Sequence, residues 1–269
     1  MITNIIKKNR YLILRRSVQI GLLIVFGSAN WWGCRILMGN YSSAYVFESF
    51  YLTDPHAVLQ TFFAGFILGA DALIGGIIVL FFYAIIAGRS FCSWVCPVNM
   101  ITDLASWMRK KWHFKEKGSY LRISRKTRNL VLGLGLILSA LLGVAAFEII
   151  NPITMLHRGI IFGFGMGWTF ILAVFLFDLL IVEYGWCGHV CPLGAFYSLS
   201  SRFALIKVKH KDDACTLCMK CKDVCHEVQV LDFIGQKSGY VKGACSNCGR
   251  CIEVCEDNAL NFSIYNYKN

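Results

Sequence analysis

Four long apolar stretches constrain this chain more than any other feature. Each is close to the ~20 residues that a helix needs to cross a ~30 Å hydrocarbon core, and they cover residues 17–38, 68–88, 129–149 and 160–183. Only 16% of the residues are charged, against about 25% in ordinary soluble domains. The sequence therefore predicts a mainly α membrane protein with four transmembrane helices.

The distribution of Lys and Arg predicts how these helices are oriented. Segment 39–67 has no Lys or Arg, whereas segment 88–128 has ten. The N-terminal tail is also basic, with Lys7, Lys8, Arg10, Arg15 and Arg16. Because basic loops remain on the cytoplasmic side, we expect a multi-pass protein of the bacterial cytoplasmic (inner) membrane with both termini cytoplasmic. The net charge of +11 is thus explained by topology and anionic lipid, and nucleic-acid binding is not expected.

Two matching cysteine motifs indicate an internal repeat. "FCSWVCP" (91–97) and "WCGHVCP" (186–192) each follow an apolar run, and their cysteines are offset by 95 residues. We expect two parallel repeats, each of two spans and one C-x3-C-P motif, with both motifs at the inner face. Residues i and i+4 share one face of a helix, and the following proline tends to end it. The four cysteines are a possible additional redox or metal site, holding mononuclear iron or another iron–sulfur centre: Cys92, Cys96, Cys187 and Cys191. The alternative is that these pairs are reduced or bridged and only structural.

Two cysteine runs near the C-terminus carry the most specific pattern. "CTLCMKCKDVC" (215–225) and "CSNCGRCIEVC" (245–255) are both C-x2-C-x2-C-x3-C, the run of two-cluster ferredoxins, in which the last cysteine of each run ligates the other cluster. The first predicted [4Fe–4S] site, called site 1, consists of Cys215, Cys218, Cys221 and Cys255. The second, called site 2, consists of Cys225, Cys245, Cys248 and Cys251. A pair of zinc sites is the alternative, although zinc does not need this rhythm of four cysteines twice.

The ferredoxin-type runs also predict a domain boundary. Residues 1–208 are expected to form the four-helix transmembrane domain, and residues 209–269 a cytoplasmic α+β domain that holds two clusters. Its core is thin, so the clusters should contribute folding energy. His226, which follows the first run, is expected to be a solvated loop residue.

The combined order of these motifs resembles the NapH/MauN family of polyferredoxin membrane proteins. The resemblance includes "GNYSSA" (39–44), "LTDP" (52–55), "INP" (150–152) and both C-x3-C-P motifs, and it runs from near residue 11 to about 260. It is greatest to the branch that serves periplasmic nitrate reductase. That resemblance implies a quinol dehydrogenase subunit in electron transport from menaquinol or ubiquinol. It implies NapG as partner and NapAB, with NapC where present, further along the route. The family's prolines after the fourth cysteines are replaced here by His226 and Glu256.

Quinol oxidation needs a proton acceptor, and the sequence offers several. Acidic side chains inside apolar spans are functional candidates. Asp178, about two turns before Cys187, is the tentative quinol or proton site, although pairing with Arg89 or Arg202 would explain it equally well. The other candidates are Asp54, His56, Asp71, Glu148, His157 and Glu183. For Asp71 and Glu183 the alternatives are a place in the first turn of a helix and a solvated position at the inner interface. Two other functions remain open: an iron–sulfur assembly or maturation factor of the same family, and a structural anchor.

Overall fold

The computed structural model describes residues 9–112, 123–163, 165–241 and 243–265, and the chain divides into two compact units. Unit 1 comprises the residues up to Gln19, Phe82–Val95 and the residues from Tyr197 onward. Unit 2 comprises Ile20–Phe81 and Cys96–Phe196. Of the basic N-terminal tail used to orient the chain, Lys7 and Lys8 lie outside the described residues.

The chain is mostly helical. The helices are α1 (Arg10–Trp31), α2 (Pro55–Phe63), α3 (Ala70–Phe81), α4 (Val98–Lys111), α5 (Thr127–Leu142), α6 (Ala146–Ile149), α7 (Pro152–Phe162), α8 (Gly167–Leu176), α9 (Pro192–Ser200), α10 (Lys220–Asp223) and α11 (Arg250–Glu253). The strands are β1 (Leu37–Gly39), β2 (Ser43–Val46), β3 (Phe50–Thr53), β4 (Ile206–His210), β5 (Gly239–Tyr240) and β6 (Leu260–Ile264).

Apolar helices of membrane-spanning length support the membrane character of the chain, but four separate spans are not confirmed. Among the described residues, two helical stretches are long and apolar enough to cross a membrane, namely α1 and Ala70–Val95. A third is obtained if Thr127–Leu142 and Ala146–Phe162, which are bent by 98°, form one broken span, and Gly167–Ile181 is shorter. The predicted span 129–149 is interrupted because α5 ends before Gly143, whose φ of 64° is left-handed, a common helix terminator. The predicted span 160–183 is interrupted in the same way at Gly163.

The repeat of 95 residues is present in the local structure of both cysteine motifs. Phe91–Val95 and Trp186–Val190 are π-helical. Each follows another π-helical turn, Phe82–Ala87 and Phe177–Ile181 respectively. In the second motif the amide of Cys191 donates to the Trp186 carbonyl at 2.9 Å, a bond between residues five apart. The expectation that each cysteine pair lies on one face of an α-helix is therefore wrong: the turn is wider, and Cys191 is already extended, as residues before proline usually are.

Unit 2 contains a small antiparallel sheet with the strand order β1-β2-β3 and two helices that begin in the same way. Helices α2 and α7 both start with proline directly after an N-cap residue, Asp54 and Asn151. In each case the cap side chain accepts a hydrogen bond from the backbone amide two residues later. Proline suits this position because its missing N–H has no partner within the helix. The "LTDP" and "INP" segments are thus helix starts.

Unit 1 contains the ferredoxin-type segment, whose α+β composition is confirmed. Its antiparallel sheet has the order β5-β4-β6, and its core consists of sheet and loop residues packed with the cysteines of both runs. Strand β4 begins at Ile206, so this sheet includes residues on both sides of the predicted boundary at 208/209. The boundary itself, like the cytoplasmic placement of this segment, stays a prediction.

Candidate iron–sulfur sites

Each predicted set of four cysteines surrounds one cavity. The cysteines of site 1 line one cavity together with apolar side chains such as Ile234 and Leu260. The cysteines of site 2 line a second cavity with Val208, Leu231 and Val241. Each cavity takes three cysteines from one run and the last cysteine of the other run. The structure therefore groups these residues as the crossed ligand pattern predicts.

The loops between the cysteines adopt the conformation that wrapping a compact group requires. Leu217 and Met219 have φ values of 60° and 57° at site 1, and Asn247 and Gly249 have 51° and 77° at site 2. A left-handed backbone is costly for non-glycine residues and persists only where surrounding structure demands it. The same conformation recurs 30 residues apart, beside the first turns of α10 and α11, so both runs form the same loop.

The thiols of site 2 have the electrostatics of metal ligands. Burial raises the pKa of Cys245 to about 12 and holds that of Cys251 well above its ordinary value. Two such neutral thiols beside a cavity become thiolates only when a cation offsets the cost of burying their charge. Within the described ranges, no three His, Cys, Asp or Glu side chains converge as the ligands of one ion would. A [4Fe–4S] cluster does not require such convergence, because each of its four cysteines binds a different iron. The donor set and the enclosed, mainly apolar cavities fit two such clusters.

Cys248 of site 2 differs from its neighbours because of His226. Burial acts to raise the pKa of Cys248. A hydrogen bond from His226, with the positive charges of His226, Arg250 and Arg15, outweighs burial and lowers this pKa to about 6. His226 also lies 3.2 Å from the Ser246 hydroxyl. The expectation that His226 is merely a solvated loop residue is wrong, because its ring contacts a ligand thiol.

A buried ion pair beside site 2 was not recognised in the sequence. Arg89 Nη1 lies 2.5 Å from Glu227 Oε1, and both side chains are only 1% exposed. The position of Arg89 three residues before Cys92 could have drawn attention to it. Its partner Glu227 is 138 residues away, and no local pattern in the sequence connects the two.

Site 1 has a more exposed polar environment. Lys220 lies 2.7 Å from Glu256, which occupies one of the positions where the family has proline, and their side chains are 53% and 78% exposed. The hydroxyl and amide of Thr216 both donate to Asp257, and these bonds lower the pKa of Asp257. Solvent screening leaves such exposed pairs little influence on a nearby cluster.

The four C-x3-C-P cysteines are divided between the units. Cys92 belongs to unit 1, whereas Cys96, Cys187 and Cys191 belong to unit 2. Within unit 2, the sulfur of Cys187 lies 3.7 Å from the hydroxyl oxygen of Thr102, so the second motif contacts the helix that follows the first. That all four thiols share one centre stays a prediction.

Asp178 is fully buried and supports the second motif. Its Oδ1 accepts a hydrogen bond of 2.8 Å from the amide of Trp186, the residue that begins the π-helical turn containing Cys187. Its Oδ2 is buried and has no hydrogen-bond partner among the described residues. Arg89, one of the two alternative partners considered for Asp178, is ion-paired with Glu227 instead. Asp178 therefore supports the second motif through Oδ1, while Oδ2 accepts no hydrogen bond within the described part of the chain.

Two further acidic candidates are Asp71 and Glu183. Asp71 is exposed in the first turn of α3, as expected of a residue favoured by the helix dipole. Glu183 accepts from Ser106 at 2.8 Å and lies 3.6 Å from Lys110, so it is paired rather than simply solvated. Both have ordinary structural explanations.

The other candidates for proton acceptor fall into two groups. Asp54, His56 and Glu148 are hydrogen-bonded: Asp54 caps α2, His56 contacts Gln60 at 3.1 Å, and Glu148 accepts from Ser42 and Asn151. His157 differs, because it is 2% exposed and neither ring nitrogen has a hydrogen-bond partner among the described residues. Its ring packs on Phe26 and Tyr41.

Apolar helices of membrane-spanning length together with two four-cysteine cavities define the chain as a ferredoxin-type membrane protein. A family described as "4Fe-4S binding domain" matches residues 68–115 and 161–211, which include all four C-x3-C-P cysteines.

The chain is 41% identical to "Ferredoxin-type protein NapH" of Escherichia coli over 94% of its own length and 89% of that protein. It is 40% identical to NapH of Haemophilus influenzae, over 95% and 90%. It is also 41% identical to "Methylamine utilization ferredoxin-type protein MauN" of Paracoccus denitrificans, over 83% and 78%. No solved structure matches. The chain belongs to the NapH/MauN family of ferredoxin-type proteins.

Proposed function

We propose that the chain is the membrane-bound iron–sulfur subunit of a quinol dehydrogenase. It takes electrons from menaquinol or ubiquinol and passes them, with a NapG-type iron–sulfur protein, toward the periplasmic nitrate reductase NapAB. Iron–sulfur electron transfer follows from the family. The observation that carries the proposal is the pair of cavities, each with four cysteines drawn from both ferredoxin runs, in a chain with membrane-spanning helices.

The residues of each cavity have defined parts in this function. When bound, a [4Fe–4S] cluster at each site accepts and donates one electron at a time. The eight cysteines hold the clusters, and the apolar side chains around them exclude water. Around site 2, His226 and Arg250 place positive charge beside Cys248, which favours the thiolate that binds iron.

Quinol oxidation also releases protons, and Asp178 is suited to accept one. Its Oδ1 remains bonded to the amide of Trp186, so the proton is held at Oδ2, which has no other hydrogen-bond partner among the described residues. The bond to Trp186 fixes the carboxylate next to the motif of Cys187. A proton acceptor beside a redox motif is the arrangement that coupled release of protons and electrons needs.

The proposed electron acceptor, the periplasmic nitrate reductase, is chosen from the extent of the similarity to NapH and to MauN. The match to NapH covers 94% of the chain, whereas that to MauN, whose name concerns methylamine utilization, covers 83%. We therefore propose the nitrate-reductase route, and the basic N-terminal and 88–128 segments favour an inner-membrane protein with the cluster sites on the cytoplasmic side.

The test is quinol-dependent electron delivery in membranes that contain the full chain. Cys215→Ser should remove the paramagnetic signal of site 1 and lower the rate, while Cys34→Ser, outside both sites, should leave both unchanged. If the rate is unchanged after the signal has disappeared, the electron-carrier role is wrong. A maturation factor would instead leave quinol oxidation intact and lower the cofactor content of a separate enzyme.

A further inference from the structure

The loop of site 2 is hydrogen-bonded directly to the first membrane motif. Both segments lie in unit 1. The Ser93 hydroxyl donates to the carbonyl of Ser246 at 2.6 Å, and the Trp94 indole donates to the carbonyl of Asn247 at 3.0 Å. In return, the Asn247 side-chain amide donates to the carbonyl of Ala87 at 3.2 Å. The cysteines of site 2 flank two of these contact residues, so the contact reaches the cavity wall.

Gly88 permits this close approach. Its φ is +62°, and a Cβ added there would lie 3.2 Å from Ala204 Cβ and 3.6 Å from the Asn247 amide nitrogen. Any other residue would be strained in this conformation and would crowd Ala204. The chain thus turns sharply at the end of the apolar helix and places the next residue, Arg89, against the ferredoxin segment.

Arg89 forms hydrogen bonds with the ferredoxin segment and with Cys92 of the first membrane motif. Its guanidinium donates to Glu227 and, at 3.1 Å, to the carbonyl of Ala244, which directly precedes Cys245 of site 2. It also hydrogen-bonds the side chain of Cys92. A fully buried ion pair is weak support for stability, because removing its charges from water costs about as much as their attraction returns. Its location between Cys92 and the loop of site 2 points to a functional reason for it.

Both charges of this pair lie beside site 2, because Glu227 lines its cavity and Arg89 donates to the carbonyl of Ala244, the residue before Cys245. The positive charge of Arg89 acts directly on Cys245, and buried charges are screened far less than exposed ones. A cluster gains one negative charge when it is reduced, so a nearby cation favours the reduced state and a nearby anion opposes it. The ion pair beside site 1, Lys220 and Glu256, is exposed, and solvent weakens its influence.

We propose that Arg89 and Glu227 are positioning residues that join site 2 to the membrane motif at Cys92 and set the reduction potential of the cluster at site 2. This inference rests on the proposed function, since it requires clusters at both sites. It makes site 2 the cluster site adjacent to the membrane motif.

The test is a redox titration of the purified full-length protein, in which the paramagnetic signals of the two clusters report their reduction. Arg89→Gln should shift the potential of site 2 downward and Glu227→Gln should shift it upward, each by about tenfold in the reduction equilibrium, or about 59 mV for one electron. Both variants should leave the potential of site 1 unchanged. Arg89→Lys keeps the charge and should restore the wild-type potential.

The matched controls are Lys220→Gln and Glu256→Gln, which change the exposed ion pair beside site 1. Neither should shift the potential of site 2, and any shift at site 1 should be smaller than those of the buried pair. If Arg89→Gln does not accumulate, Glu227→Gln alone decides the direction. Shifts of the same sign in both buried variants, equal shifts at both sites, or no shift would overturn the inference. If the wild-type protein lacks two cluster signals, the proposed function fails instead.

Discussion

The start of helix α1 is held by an acidic side chain of the ferredoxin segment. The backbone amides of Tyr11 and Leu12 both donate to Glu253 Oε1, at 2.6 and 3.0 Å. The first amides of a helix have no partner within it, and the positive end of the helix dipole attracts a carboxylate. We predict that Glu253→Ala removes both contributions: about 1 kcal/mol for the lost cap and about 0.5 kcal/mol for the lost charge. Glu253→Gln keeps an acceptor and should lose only the second.

Hydrogen–deuterium exchange of the peptide that contains Tyr11 and Leu12 measures this effect, because local opening sets the exchange rate. About 1.5 kcal/mol corresponds to roughly tenfold faster exchange in Glu253→Ala, and 0.5 kcal/mol to about twofold in Glu253→Gln. The control is Glu256→Ala, whose carboxylate is exposed and paired with Lys220, and it should leave these amides unchanged. Exchange in Glu253→Ala that matches the wild type would refute the reasoning.

Three further predictions concern the cluster sites, the proton acceptor and pH. In a redox titration the cluster at site 2 should have the higher potential, because the positive charges of buried Arg15 and partly buried Arg250 act on Cys248; a higher potential at site 1 would contradict this. Asp178→Asn preserves an acceptor for Trp186 but no carboxylate, so iron content should be kept while quinol-dependent turnover falls about 100-fold; an unchanged rate would exclude Asp178. Burial lowers the pKa of His56 from 6.5 to about 4, so the unfolded chain binds the proton first as pH falls. Stability should therefore decrease between pH 6.5 and pH 4, by about 2 kcal/mol at pH 5, in thermal unfolding; a loss equally large in His56→Gln would contradict this.

The grouping of the eight cysteines around two cavities could be predicted from the sequence because the cysteines follow a local rhythm. Three cysteines at intervals of three predict a loop around one cluster. The fourth ligand is predicted because, where two such runs occur, the last cysteine of each run binds the other cluster. The left-handed residues between them were not predicted, since Leu217 and Met219 have no preference for that conformation. The cluster loop imposes it.

The membrane helices were predicted less well, because hydropathy reports apolar length and not continuity. The chain turns sharply after α5 at Gly143 without any loss of hydrophobicity, so hydropathy alone predicts an uninterrupted helix over 129–149 where the structure has a bend. The π-helical turns at Phe91–Val95 and Trp186–Val190 have no signature in spacing, although the repeat that contains them does. The contacts of Arg89 and His226 depend on residues distant in sequence or across a loop, and only the fold brings them together.

The crossed assignment of cysteines to two clusters is tested most directly by comparing single Cys→Ser variants in the paramagnetic spectra of the reduced, anaerobically purified protein. Wild-type protein should contain at least about eight irons and two cluster signals. Cys225→Ser should abolish the same signal as Cys245→Ser, and Cys255→Ser the same signal as Cys215→Ser. Loss of the Cys215 signal in Cys225→Ser, or a wild-type protein without iron, would contradict the account.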